Sequence, residues 1–297
     1  MSYSTAGIAQ LVRALDCGSK CRGFEPRCSP IFFYYMTDLE AIFLGIVQGL
    51  TEFLPVSSSG HLTLFQALFG YKDLEGYVAF DIVCHLGTLL AIFIVFHRAI
   101  WEALFKNWTR LGQVILGTLP LFPLVLLLKP IKSLFDRPEL LGFFFLTTAL
   151  LLYLGICFGQ QHTKKNLENN KWRDAFTIGI FQAFAILPGV SRSGSTLSGA
   201  RLLGWGVEDA LTFSFLLAIP AILGGAAVEI LQLYLTGAAS VNQAIPLSAY
   251  FWGLFTSFIV GWGALLLLKY LAPKRSFMYF VWYCIGVGIF SLIYFNA

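Results

Sequence analysis

Six apolar stretches, 78–96, 113–128, 139–158, 209–235, 247–268 and 276–295, run with very few charges. A helix that crosses the hydrocarbon core of a bilayer needs about 17–25 such residues; 113–128 is at the short limit. In lipid every backbone N–H and C=O must be satisfied within the segment, so uninterrupted runs like these fold as helices. A transmembrane β-barrel would instead show alternating segments of about ten residues. Composition agrees. With 57 % hydrophobic and 12 % charged residues and a mean hydropathy of +0.74, a chain of 297 residues carries more apolar surface than a soluble domain can hide. A soluble enzyme, a nucleic-acid binder and a disordered regulator are excluded. The expectation is an all-α polytopic membrane protein.

Two further apolar stretches, 40–56 and 175–190, each break at a proline in a Ser/Gly-rich turn and resume as short apolar helices, 62–69 and 196–204. Neither half spans alone, so each pair reads as a re-entrant hairpin, whose irregular backbone is tolerated at membrane depth only inside protein or beside a wet cavity. The two breaks are copies of each other. GIVQGLTEFLPVSSSG (Gly45–Gly60) aligns without gaps to GIFQAFAILPGVSRSG (Gly179–Gly194), sharing Gln48/Gln182, Ser57/Ser191, Ser59/Ser193 and Gly60/Gly194. Repeat 1 covers about 37–159 and repeat 2 about 171–297. Each holds one hairpin and three spans. Three is odd, so the second copy enters from the opposite face: an inverted-topology repeat of six transmembrane helices and two re-entrant hairpins, with its site at the repeat interface near midplane.

Loops 97–112, 159–174 and 269–275 carry ten Lys and Arg, among them Arg98, Arg110, Arg173 and Lys269, against four (Lys72, Lys129, Lys132 and Arg137) on the other side. The positive-inside rule puts the richer set in the cytoplasm and turns 37–77 outward. Residues 1–35 are basic, lack an apolar core for a signal peptide, and read as an upstream extension or a misplaced start before Met36. Cys84, Cys157 and Cys284 read as small buried apolar side chains; Cys17, Cys21 and Cys28 match no zinc spacing.

The two copies differ where chemistry is at stake. Glu52 faces Ile186 in the alignment, and Ser58 faces Arg192. A carboxylate in an apolar segment is expensive and usually functional. Glu52 and Gln48, four apart on one helix face, suit a hard cation, Gln48 giving a neutral oxygen; the alternative is an ion pair of Glu52 with a neighbour such as Arg192. Ser57, Ser58, Ser59 and Gly60 precede a short helix beginning near His61, and Ser191, Ser193, Gly194 and Thr196 repeat the arrangement. Serines cap helices, and helix N-termini also bind anions. Two such termini with the planar fork of Arg192 make a site for a phosphate or diphosphate. His61 beside Glu52, Ser58 and Arg192 is an acid–base or a nucleophile. His85, inside span 78–96, has a supporting or structural role, and His97 and His162 are solvated.

QGLTEFLPVSSSGH (Gln48–His61) and PGVSRSGSTLSG (Pro188–Gly199) resemble the two signature motifs of the undecaprenyl-diphosphate phosphatase family, the membrane enzymes linked to bacitracin resistance; FSFLLAIPAILGG (Phe213–Gly225) resembles a further signature region. The likeness covers about 37–297. It implies hydrolysis of undecaprenyl diphosphate to undecaprenyl phosphate and inorganic phosphate, dependent on a divalent cation, Mg2+ or Ca2+. The place is the outer (periplasmic) face of the bacterial plasma (inner) membrane, and the purpose is recycling the lipid carrier for peptidoglycan synthesis. By motif match Glu52 is similar to the essential acid, His61 to the motif histidine, Ser58 to a proposed nucleophile and Arg192 to the phosphate-binding arginine. Ser191, Ser193 and Thr196 match further polar positions. Gln48 departs from the Glu of many members, which weakens a two-carboxylate metal site. The nucleophile stays open among Ser58, His61 and water. A homodimer is compatible with these features. The runner-up is a polyprenyl-phosphate flippase or anion transporter, because inverted repeats with broken helices are common there.

Overall fold

The computed structural model describes residues 36–71, 74–127, 134, 137–159, 172–236, 245–271 and 277–296, all within one unit, Tyr35–Ala297. The expected extension 1–35, with Cys17, Cys21 and Cys28, lies outside the described residues. So do His162 and the loop cations Lys72, Lys129, Lys132, Lys164, Lys165, Lys171, Lys274 and Arg275.

Among the described residues the protein is all helix. The helices are α1 (Asp38–Phe53), α2 (Ser58–Leu68), α3 (Val78–Val95), α4 (His97–Phe105), α5 (Trp108–Thr118), α6 (Phe122–Val125), α7 (Leu141–Cys157), α8 (Trp172–Phe184), α9 (Arg192–Leu202), α10 (Val207–Thr236), α11 (Leu247–Leu271) and α12 (Met278–Asn296). Five helical stretches are long and apolar enough to cross a membrane: Val78–Val95, Pro138–Cys157, Val207–Gln232, Leu247–Leu271 and Met278–Asn296. These correspond to five of the six expected spans. The sixth, 113–128, is not one helix. α5 ends at Thr118, a 3₁₀ turn covers Leu119–Leu121, and α6 adds one more turn. Pro120 and Pro123 are the cause: each removes a backbone donor and crowds the preceding turn.

Both broken segments are present as helix–turn–helix units. α1 starts with a capping box, in which the Thr37 hydroxyl accepts from the Glu40 N–H (3.2 Å) and the Glu40 carboxylate from the Thr37 N–H (2.7 Å). It stops because Leu54 precedes Pro55 and is held extended. The second helices begin earlier than expected, at Ser58 and Arg192. They are bounded alike, Ser58–Leu68 and Arg192–Leu202, each bound 134 residues from its counterpart.

Packing exchanges the two halves. α1 lies against α11 and α8 against α5, and α7 packs on α12. Small residues allow the approach. A Cβ at Gly45 would stand 2.8 Å from the Gly253 carbonyl oxygen of α11, and one at the matching Gly179 would stand 2.3 Å from the Gly117 carbonyl oxygen of α5. Two expectations change. Cys157 is exposed, whereas Cys84 and Cys284 are buried, because Cys157 ends α7. Arg110 is no loop cation: it lies buried in α5, its guanidinium over the rings of Phe213 (4.9 Å) and Trp205 (5.6 Å).

The helix contacts give a direct test. A side chain at Gly49 would meet the Gly261 nitrogen and the Ser257 carbonyl oxygen, each at 2.8 Å, whereas one at Gly263 would meet nothing within 4 Å. Gly49→Leu should therefore cost roughly 1–3 kcal/mol or more, read as a lower melting temperature in detergent. Gly263→Leu should melt like the parent.

Candidate active site

The breaks after α1 and before α9 meet. A Cβ at Gly60 would lie 2.7 Å from Gly189 Cα, and Gly189 itself has φ +92°, a conformation suited to glycine. Each break is capped in the same way. Ser57 Oγ accepts from the Gly60 N–H at 3.4 Å and Ser191 Oγ from the Gly194 N–H at 3.1 Å. Ser57 is the one non-glycine with positive φ among the described residues, at +72°; such strain persists where surrounding structure enforces it. Long helices hold the turns. The Thr148 hydroxyl of α7 donates to the Gly189 carbonyl and accepts from the Ser191 N–H, both at 2.9 Å, and Cys284 of α12 donates to the Pro55 carbonyl at 3.8 Å. The Ser193 hydroxyl reaches across to the Leu54 carbonyl at 3.1 Å.

A cavity of about 230 Å³ opens where the two helix starts converge. Glu52, Ser57, Ser58, Ser59, Ser191 and Arg192 line it, as do His85 and Glu229. Glu52 is its hub. One carboxylate oxygen accepts from Ser58 Oγ at 2.5 Å and from Gln48 Nε2 at 3.1 Å. The other pairs with the Arg192 guanidinium, whose Nη1 is buried without a partner among the described residues. Thus the acid of one repeat meets the base of the other. Helix starts and a guanidinium are groups of the kind that hold anions, and Ser58 sits against a carboxylate able to take its proton.

Not every expected residue faces this cavity. His61 is turned away. Its Nδ1 lies 2.6 Å from the Ser57 carbonyl oxygen and its Nε2 2.8 Å from the Tyr283 hydroxyl, with Phe145 edge-on to the ring. A carbonyl only accepts, so Nδ1 carries the proton and Nε2 accepts from Tyr283. Both nitrogens are spent on structure. Gly60 and Gly194 donate to their capping serines and Ser193 to Leu54, while Thr196 donates to the Arg192 carbonyl (2.9 Å) and accepts from the Ser214 hydroxyl (2.6 Å); none of the four lines the cavity. His85 takes the place expected of His61. Its Nδ1 is 2.7 Å from the Asp81 carbonyl oxygen, and its Nε2 stands 3.6 Å from the Glu52 carboxylate. Asp81 in turn accepts from Gln66 at 3.0 Å. Asp81, His85 and Glu229 were legible by the rule that singled out Glu52, since each is an ionisable group within an apolar span.

A divalent cation can be tested on the donors. Among the described residues no group of three His, Cys, Asp or Glu is placed to hold a metal. Gln48 adjoins the Glu52 carboxylate through its Nε2 (3.1 Å), and its Oε1 is buried and without a partner among the described residues, so a half-turn of the amide would bring that oxygen to the carboxylate. One carboxylate and one neutral oxygen fit a hard cation such as Mg2+, which takes its other ligands from water and substrate phosphate.

Fold and cavity together define an integral membrane protein of apolar helices, with a serine-lined cavity that holds a Glu–Arg pair where two helix breaks meet. Residues 41–290 match the family described as Bacitracin resistance protein BacA, and the chain belongs to that family. It is 50 % identical over 261 residues to an undecaprenyl-diphosphatase of Protochlamydia amoebophila, covering 88 % of this chain and 100 % of that protein. It is 41 % identical to the Carboxydothermus hydrogenoformans protein of that name (86 % and 98 % covered) and 38 % identical to the one from Rhodopirellula baltica (86 % and 97 %).

The placement of His61 leads to a measurable difference. Tyr283→Phe removes only the hydroxyl that donates to buried His61 Nε2, and should lower stability by about 1–3 kcal/mol. Turnover per folded molecule should stay near that of the parent. His85→Ala should show the opposite pattern, with little change in melting and a clear loss of turnover.

Proposed function

We propose that the chain hydrolyses undecaprenyl diphosphate to undecaprenyl phosphate and inorganic phosphate, recycling the lipid carrier for peptidoglycan synthesis and so countering bacitracin. The observation that carries this reading is Ser58 Oγ at 2.5 Å from a Glu52 carboxylate oxygen, with Arg192 on the other oxygen. The shared name of the relatives supports it.

In the proposed reaction the terminal phosphoryl group binds at the two helix starts, and Arg192 passes from Glu52 to its oxygens. Ser58 Oγ bonds to phosphorus, its proton goes to Glu52, and the bridging P–O bond breaks to release undecaprenyl phosphate. Water then adds to phosphorus, the Ser58–phosphorus bond breaks, Ser58 takes back the proton from Glu52, and inorganic phosphate leaves. Glu52 and Gln48 Oε1 would hold Mg2+ or Ca2+, which when bound supplies positive charge against the diphosphate oxygens. Most of the catalysis is electrostatic, so oriented donors dominate.

In this reading α1–α2 and α8–α9 are re-entrant hairpins entering from opposite faces. The cations Arg98, Lys106 and Arg173 mark the cytoplasmic side of the plasma membrane, and the cavity faces the periplasm.

Purified protein should release phosphate from a C55 diphosphate, chelator should suppress release, and added magnesium should restore it. Ser58→Ala and Arg192→Lys should each lower turnover by roughly 10²–10³ with normal melting. No release by the magnesium-loaded parent would sink the reading. For orientation, single cysteines replacing the exposed Glu102 and Glu139, in a background without native cysteines, should differ toward a membrane-impermeant thiol reagent. In intact cells position 139 should label and position 102 should be protected; the reverse pattern would invert the topology.

A further inference from the structure

The cavity at Arg192 continues sideways into a larger one of about 350 Å³, and Arg192, Glu229 and Gly225 line both. The far walls of this groove are Phe122 and Val125 on one side and the Pro220–Gln232 face of α10 on the other. It opens to the protein surface, since Phe122 is 65 % exposed and Val125 44 %.

Two sequence features make the groove. Pro120 and Pro123 stop α5 short of a full span, so no straight helix covers this face of α10. Gly224 and Gly225 present no side chain there, and a Cβ added to either would meet nothing within 4 Å. The glycines that serve helix packing behave oppositely: at Gly45 and Gly49 a Cβ would collide with α11. Among the described residues no neighbouring helix requires Gly224 and Gly225 to be small. Their smallness instead gives the groove its width.

The groove joins two chemistries. Its polar groups are Arg192, whose Nη1 has no partner among the described residues, with Glu229, Gln182, Gln232 and Thr118; the rest is Leu, Ile, Phe, Val, Pro, Ala and Gly opening on an apolar surface. A ligand that satisfies both has an anionic head and a hydrocarbon tail. Resting on the phosphatase reading, we propose that the prenyl carbons nearest the diphosphate lie in this groove between α6 and α10, with Gly224 and Gly225 as the positions that set its width. The bilayer then delivers the substrate laterally, head first toward Arg192, without the tail leaving lipid.

The test uses the full chain in detergent and a farnesyl diphosphate carrying a diazirine on its first isoprene unit. After photolysis, cross-links should map to 118–125 and 220–232. Gly224→Trp and the smaller Gly224→Leu should reduce that labelling and raise KM for prenyl diphosphate by at least about tenfold, the scale of a misfitted apolar pocket, with kcat little changed. Leu223→Trp, on the same helix but outside the groove, should do neither. Cross-links confined to other helices, or both Gly224 variants keeping KM near that of the parent, would overturn the groove. If Gly224→Trp melts early, Gly224→Leu decides. Labelling in the groove by a protein that releases no phosphate would sink the hydrolysis reading and leave the groove; phosphate release with labelling elsewhere would do the reverse.

Discussion

The Glu52–Arg192 pair is the contact on which the rest of the site depends. A buried carboxylate and a half-buried guanidinium at the meeting of two helix breaks lose much of their hydration, and such a pair seldom repays that loss in stability. Well-packed apolar side chains would serve the fold better. The repeat supplies that comparison internally: opposite Glu52 stands Ile186, and opposite Arg192 stands Ser58. Each half therefore accommodates an uncharged residue at the matching position, so the fold alone does not call for the charges. Ser58 and Gln48 donate to Glu52, so an unpaired carboxylate is avoided.

Keeping that contact in place takes most of the surrounding architecture. The turns leave backbone groups that no helix ladder satisfies. Capping serines, Thr148 and Cys284 supply the missing partners. Glycine contacts between α1 and α11, and between α8 and α5, let the halves interlock closely enough for the two breaks to touch. Rigid long helices thus position irregular backbone, and irregular backbone positions the reacting groups.

Much of this was legible before the structure. Proline and glycine punctuation located both breaks, and the alignment of the copies put Glu52, Ser58 and Arg192 together. Helix starts were misplaced by several residues because Ser58 and Arg192 extend the helices toward the turns, with Ser57 and Ser191 as the caps. The stretch 113–128 is not one regular helix because Pro120 and Pro123, which hydropathy does not register, interrupt it, and that interruption borders the lateral groove. His61 lies apart from the cavity for a different reason. Proximity in sequence to Ser58 says nothing about direction, and three residues along a helix turn its ring toward Tyr283 rather than the cavity. His85, on another helix, arrives there by tertiary packing that no local pattern encodes.

The central claim is that Arg192 is held by Glu52 until a phosphoryl group claims it. Binding of a non-hydrolysable prenyl methylene-diphosphonate, measured at equilibrium in the presence of chelator, tests this most directly. Glu52→Gln releases the guanidinium and should bind the diphosphonate more tightly than the parent, although it cannot take the Ser58 proton. Arg192→Ala should bind it more weakly. Weaker binding by Glu52→Gln, or unchanged binding by Arg192→Ala, would contradict the account.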